Sequence, residues 1–284
     1  MLKVMWFVPP AIHAVADSGG LLAAYGLHVE GIPTGSSDQQ YEALLAGECD
    51  VAVTAMDNVI LWNRRGRGDD FRIVAQVERT TSIALVARPE FTTVASLDGG
   101  RLLVDSVENG FVIALRMMLD DAGIAFDACT VLPAGGVKER FAALIAGDGD
   151  ATLLGPPFLG MAEAAGMQCL AHADRAFPGF PGQGIVVRTG QLGDRRDEIV
   201  RWLAALEQAR ADIVADPLAL MPRGATLPVA TALVDAVSTT LVPDPAGIDL
   251  LVAQRRHLGL PGADAVYSTL VDTGLLTGAL AAGG

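Results

Sequence analysis

Three residues capable of acid–base chemistry, His13, Asp57 and Glu108, each follow a segment that reads as a β-strand. An imidazole and two carboxylates gathered on one cleft could move protons, or hydrogen-bond a ligand rich in hydroxyl or amine groups. Each position has to be weighed against plain scaffolding. His13 also fits a packed residue at a helix start, and Asp57 also fits the N-cap of a helix over Asn58–Arg64. Glu108 is not needed as a cap. Buried carboxylates repel an anion unless protonated. The set therefore favours a ligand with hydroxyl, amine or mixed groups, or proton-transfer chemistry, over a simple oxyanion. No GxSxG elbow is present, and no cysteine falls among these positions, so nucleophilic hydrolysis has no support.

Ligands of open α/β sheets bind beyond the carboxyl ends of the strands. The residues after each strand-like run are thus the other candidates. From the first part of the chain they are Trp6 and Pro10, Ser36 and Ser37 after Gly35, and Met56 and Asn58 flanking Asp57. From the second they are Ser106 and Asn109 around Glu108, Gly135-Gly136, then Gly155, Pro156, Pro157 and Phe158. Gly35-Ser36-Ser37 opens a helix with free N–H groups, which suits either an anionic group or an ordinary N-cap. Trp6, Phe158, Phe177 and Phe180 could line an aromatic pocket, although core packing serves Trp6 equally well. No phosphate loop of the GK[ST] kind occurs. Cys49, Cys129 and Cys169 are far apart, with no CxxC and no histidine at ligand spacing, so neither a metal nor a cofactor is expected.

The elements that must position these residues include one stretch that occurs twice. Residues 41–58 read YEALLAGECDVAVTAMDN and residues 141–158 read FAALIAGDGDATLLGPPF. The copies share Ala43/Ala143, Leu44/Leu144, Ala46/Ala146, Gly47/Gly147 and Asp50/Asp150. Each predicts a short helix, a glycine stop, an acidic turn and a buried strand. One repetition suggests two similar α/β units rather than a solenoid, which needs about three or more repeats. Around the copies, strands are expected at Leu2–Val8, His28–Pro33, Arg72–Val77, Ile83–Ala87, Arg101–Val104, Cys129–Leu132, Gln168–Ala171 and Ile185–Arg188. Helices are expected at Ala11–Tyr25, Gln39–Ala46, Phe111–Ala122 and, as a long amphipathic one, Arg195–Ala215. The remainder, Met221–Gly284, reads as helical and loop-rich, packed on the first unit. The fold class is α/β: two lobes, each a mainly parallel sheet flanked by helices, with a C-terminal helical region. Ile83–Ala87 and Ile185–Arg188 are placed to carry the chain between lobes. That puts residues 1–86 plus 186–284 in lobe one and 87–185 in lobe two.

With 284 residues, 51% of them hydrophobic, the chain can bury a large core. Its formal charge of −13 argues against nucleic acid or an anionic membrane surface as a partner. No apolar run reaches transmembrane length, so direct membrane insertion is not expected. The opening MLKVMWFVPPAI is broken by Pro9 and Pro10 and lacks the apolar core of an export leader. It reads as a first strand, and as numbered the expected location is the cytoplasm, or the periplasm or extracellular space if a leader preceded it.

Taken together, ALLAGECDVAV, ALIAGDGDATL, the segment SIALVARPE and the run SLDGGRLLVDS resemble the type II periplasmic solute-binding proteins. The similarity is to the nitrate/sulfonate/taurine and thiamine-pyrimidine-precursor binding group, and it covers roughly residues 1–215. It implies two lobes closing on a small-molecule ligand, as in the substrate-binding protein of an ABC transporter, with a membrane permease as partner. The family is normally exported behind a leader. The precursor-synthesising enzymes of the superfamily carry cysteine-rich and histidine motifs, and no such cluster stands here. The alternative is a cytoplasmic, cofactor-independent enzyme on the same fold. It would be a lyase, decarboxylase or dehydratase acting on a small aromatic or cyclic acid, with His13, Asp57 and Glu108 as its candidate catalytic residues.

Overall fold

A computed structural model describes residues 1–108, 110–217 and 234–282. The first half runs β1 (Leu2–Trp6), α1 (Ala11–Ser18), α2 (Leu21–Ala24), β2 (Val29–Pro33), α3 (Ser37–Ala46), β3 (Val51–Ala55), α4 (Asp57–Trp62), β4 (Phe71–Gln76) and β5 (Ala84–Ala87). There follow β6 (Arg101–Val104), α5 (Val112–Asp121), β7 (Thr130–Pro133), α6 (Val137–Ala146), β8 (Ala151–Leu154), α7 (Phe158–Ala164), β9 (Gln168–His172), α8 (Ala173–Ala176) and β10 (Gln183–Arg188). The chain continues through α9 (Arg196–Ala215), α10 (Pro245–His257), α11 (Tyr267–Leu270) and α12 (Gly274–Ala282). The single helix expected over Ala11–Tyr25 is two, because Gly20 takes a left-handed φ of 75° that no helix can continue through.

Two five-stranded sheets result, ordered β2-β1-β3-β10-β4 and β7-β6-β8-β5-β9. They are mixed rather than purely parallel. β1 pairs parallel with β2 and β3, and β6 pairs parallel with β7 and β8. β10 runs antiparallel to β3 and β4, and β5 runs antiparallel to β8 and β9. In each sheet four strands share a direction and one opposes it. The opposed strands are those on which the chain arrives from the other sheet: β4 leads to β5, and β9 leads to β10. Both crossovers therefore join the carboxyl edges of the two sheets.

The duplicated stretch has one structural job done twice. Ser36 caps α3, its hydroxyl accepting the Gln39 N–H at 3.1 Å. Gly47 and Gly147 end α3 and α6 with φ of 70° and 81°. The next N–H, of Glu48 or Asp148, returns to the carbonyl of Ala43 or Ala143 at 2.9 Å. Asp50 then accepts the Lys3 N–H at 2.8 Å, as Asp150 accepts the Arg101 N–H at 2.8 Å. Each acid pins the start of the neighbouring strand, β1 or β6. The copies differ at Cys49 and Gly149. A side chain at 149 would meet the Leu103 side chain at 2.4 Å, whereas Cys49 is accommodated and buried.

The core has two faces per sheet. Leu2, Val4, Val53 and Ile185 pack under α1, α9 and α12, with Trp202 and Leu276 among the partners. Val86, Leu103 and Leu154 pack under α6 and α7. A third cluster is continuous between the sheets, joining Met5, Ala52 and Met56 to Leu85, Leu102 and Leu115 through Ile248 and Leu251 of α10. The C-terminal region therefore does not pack on one unit alone. Helix α12 lies on α9, but α10 lies against α5, where His257 Nε2 and Asp120 Oδ2 stand 2.7 Å apart. Of the expected C-terminal region, residues 221–233 and 283–284 lie outside the described residues. Among the described residues, no helix is long and apolar enough to cross a membrane.

Candidate functional site

Because both crossovers run between carboxyl edges, the edges face a shared space, and a cleft of about 380 Å³ opens there. The exit of β1 contributes Phe7, Val8, Pro9 and then Ala11; β3 contributes Thr54 and Ala55, followed by Asn58 of α4. The second sheet supplies Asp105, Gly110 and Phe111 after β6, Leu153, Gly155 and Pro156 around the end of β8, and Val137 and Arg140 from α6. The crossovers supply Glu78, Thr80, Thr81, Ser82, Ile83 and Gln183, and Ala236 closes the lining. A pocket of this size suits a small organic molecule, with aromatic and aliphatic walls and a few convergent polar groups.

The polar lining is built from tight local contacts. The Thr54 hydroxyl accepts from Asn58 Nδ2 at 2.6 Å, and the Thr80 hydroxyl donates to the Phe180 carbonyl at 2.7 Å, tying one crossover to the other. Gly182 permits this approach, since a Cβ there would lie 2.4 Å from Glu78 Cβ. Arg140 is buried, forms an ion pair with Asp105 at 3.2 Å, and donates to the Gly135 and Leu153 carbonyls at 2.9 and 3.3 Å. Burial pushes the Asp105 carboxyl up and Arg140 pulls it back; burial pushes the Arg140 guanidinium down.

Glu78 is a second perturbed acid of the site. It lines the cleft with its side chain half-buried, and desolvation pushes its carboxyl up to about 6. The Gln183 N–H and side-chain amide, at 3.2 and 3.1 Å, only partly offset the burial. The unfolded side chain ionises first, near 4.5, so stability falls as pH rises from there to about 6 and stays lower above. Glu78→Gln is expected to flatten that segment of the stability–pH curve and to raise stability above pH 7 by roughly 1–2 kcal/mol. Urea unfolding of both proteins across this range measures it; an unchanged slope would assign the titration elsewhere.

Of the positions singled out from the sequence, Asn58, Gly155 and Pro156 line the cleft. His13 is buried away from it: Nδ1 accepts the Trp202 Nε1–H at 3.2 Å, and the ring packs on Trp6 with centroids 4.7 Å apart. Burial pushes the His13 pKa down despite Asp17, which suits a neutral ring. Asp57 is buried in an ion pair, its carboxylate taking Arg255 Nη2 at 2.6 Å and the Gly110 N–H at 2.9 Å. Burial pushes this carboxyl up, while Arg255 and the Gly110 N–H hold it towards the charged form. Glu108 has an exposed side chain, and its carbonyl accepts from Arg255 at 3.2 Å.

The remaining positions serve the scaffold around the cleft. Met56, Ser37 and Ser106 are buried and do not line it; Ser36 is the cap of α3, and Pro10 that of α1. Pro157 is exposed at the start of α7, and Phe158 packs on Phe141 at 5.4 Å. Phe177 and Phe180 are buried; Phe180 backs Phe111, which faces the cleft. Asn109 lies outside the described residues. Reading only the residues after parallel strands overlooked the crossovers, and with them Glu78, Thr80–Ser82 and Gln183. The available signal was that a reversed strand begins where its neighbours end. It also overlooked Asp105, one residue before Ser106, and Arg140 on α6.

A family model described as NMT1/THI5 like matches residues 11–219. No curated protein matches the chain. Among solved structures, a protein from Bordetella bronchiseptica RB50 superposes with a TM-score of 0.80 at 15% identity, covering 99% of this chain and 97% of that one. A ligand-binding component of an ABC-type import system from Staphylococcus aureus, with zinc bound, superposes with a TM-score of 0.73 at 16% identity, covering 97% of each. The alkanesulfonate-binding protein SsuA from Xanthomonas axonopodis pv. citri, bound to MOPS, gives 0.71 at 18% identity, with 93% and 97% covered. At these identities the likeness is one of fold.

Proposed function

Because this chain belongs to the NMT1/THI5-like family, we propose that it binds a small organic ligand in the cleft between its two sheets, as the substrate-binding component of an import system. The observation that carries the reading is the cleft itself, built from the carboxyl edges of both sheets and lined by groups from each. In this reading residues 1–86 with 186–284 and residues 87–185 act as two lobes. Asn58 and Gly155 join Thr54, Glu78, Asp105 and Gln183 as ligand contacts. A membrane permease is then the partner, and the protein works in the periplasm or outside the cell. The residues that motivated an enzyme, His13, Asp57 and Glu108, are engaged in packing, in a buried ion pair or exposed to solvent, which favours binding over turnover.

A thermal-shift screen of carboxylates, sulfonates, pyrimidines and amines tests this. A binder at a hundred times its Kd should stabilise the fold by about 2.7 kcal/mol, or about 4–5 °C for a chain of this size. Thr54→Trp, which fills the cleft, should abolish that shift, and the bound compound should be recovered unchanged. A hit whose shift survives Thr54→Trp would place binding elsewhere, and conversion of the hit would make the protein an enzyme.

A further inference from the structure

Glu78 lines the cleft; among the described residues its carboxylate takes hydrogen bonds from Gln183 alone, and no cation stands within ion-pair distance of it. Arg140 is the one described cation in the lining, and it is already committed to Asp105 and two carbonyls. With both acids ionised, the described lining carries one net negative charge. Phe7 and Phe111 line the same space. A sulfonate placed there would meet the Glu78 carboxylate without a spare cation among the described residues to answer it. A protonated nitrogen would meet a carboxylate acceptor and aromatic faces that attract cations.

We propose that the cleft takes a small organic cation, a primary ammonium or amidinium on a flat apolar body, with its N–H groups on Glu78 and its apolar part between Phe7 and Phe111. This rests on the binding reading above and gives the ligand a charge. It separates the protein from the sulfonate binding named for one of its structural neighbours. Asp105 is the second determinant, because it holds the Arg140 charge that would otherwise welcome an anion.

Calorimetric titration with matched pairs tests the assignment: benzylamine against phenylmethanesulfonate, benzamidine against benzoate, and tryptamine against indole-3-acetate. The cation of each pair is expected to bind about tenfold or more tightly than its anion. Glu78→Gln should weaken the cations about tenfold while the protein stays folded. Asp105→Asn, which frees Arg140, should narrow or invert the preference. Tighter binding of the anions, or cation affinity indifferent to Glu78→Gln, would overturn the charge assignment and leave ligand binding intact. Absence of binding by every pair, together with a blank thermal-shift screen, would overturn both.

Discussion

Replacing Arg255 with methionine is expected to lower the unfolding free energy by about 3–5 kcal/mol. Arg255 and Asp57 have side chains 0% and 1% exposed, so the pair has exchanged its hydration entirely for mutual contacts. The guanidinium grips both carboxylate oxygens, and also reaches the Pro261 and Glu108 carbonyls at 2.7 and 3.2 Å. Asp57 in turn accepts the Gly110 N–H. Removing the cation leaves a carboxylate buried without its counter-charge, and loosens α10, the start of α4 and the β6–α5 turn together. The turn carries Gly110 and Phe111 of the cleft, so ligand affinity should fall along with stability. The double variant Asp57→Leu with Arg255→Met should recover most of the loss, because an apolar pair leaves no buried charge. Urea unfolding of both variants measures this. A loss below about 1 kcal/mol in the single variant would mean that water reaches the pair.

Trp202→Ala is expected to cost a similar amount, about 3–5 kcal/mol, by leaving a cavity under the first sheet. Trp202 is 0% exposed among Leu2, Val4 and Val53, and its indole N–H is the donor that His13 Nδ1 accepts. Trp202→Phe separates the two contributions: it keeps most of the volume but orphans the imidazole acceptor, at about 1–3 kcal/mol. Neither change should touch the cleft lining, so ligand affinity measured on the folded fraction should hold. A selective loss of affinity would return His13 to the site. The pH dependence has a definite sign. With its folded pKa pushed below 6.5, His13 contributes stability that is present above 6.5 and declines as pH falls below that value. Imidazole carbon shifts followed by NMR would show His13 titrating below an ordinary histidine.

Local sequence determined the elements and much of their order. Gly47 and Gly147 announce the ends of α3 and α6 because a left-handed residue is needed there and glycine adopts it freely. The shared Asp50 and Asp150 announced an acidic turn in each copy, and VAVTA announced a buried strand. Such signals act within a few residues, through dihedral preference, capping and side-chain period, so they can be read from one stretch at a time. Even the two crossover strands were visible as extended segments.

Which polar groups meet was not legible, because it depends on partners far away in the chain. Asp57 and Arg255 are separated by 198 positions, His13 and Trp202 by 189, and Glu78 and Gln183 by 105. Asp57 looked like a ligand contact because it follows a strand; only the arrival of α10 turned it into half of a buried pair. Glu78 looked like part of a loop; only the reversal of β5 and β10 brought that loop to the carboxyl edges of both sheets. The chain therefore determines its strands, helices and repeat locally. Tertiary structure decides the cleft's chemistry, because burial and a distant partner set whether a given carboxylate is a brace or a binding group.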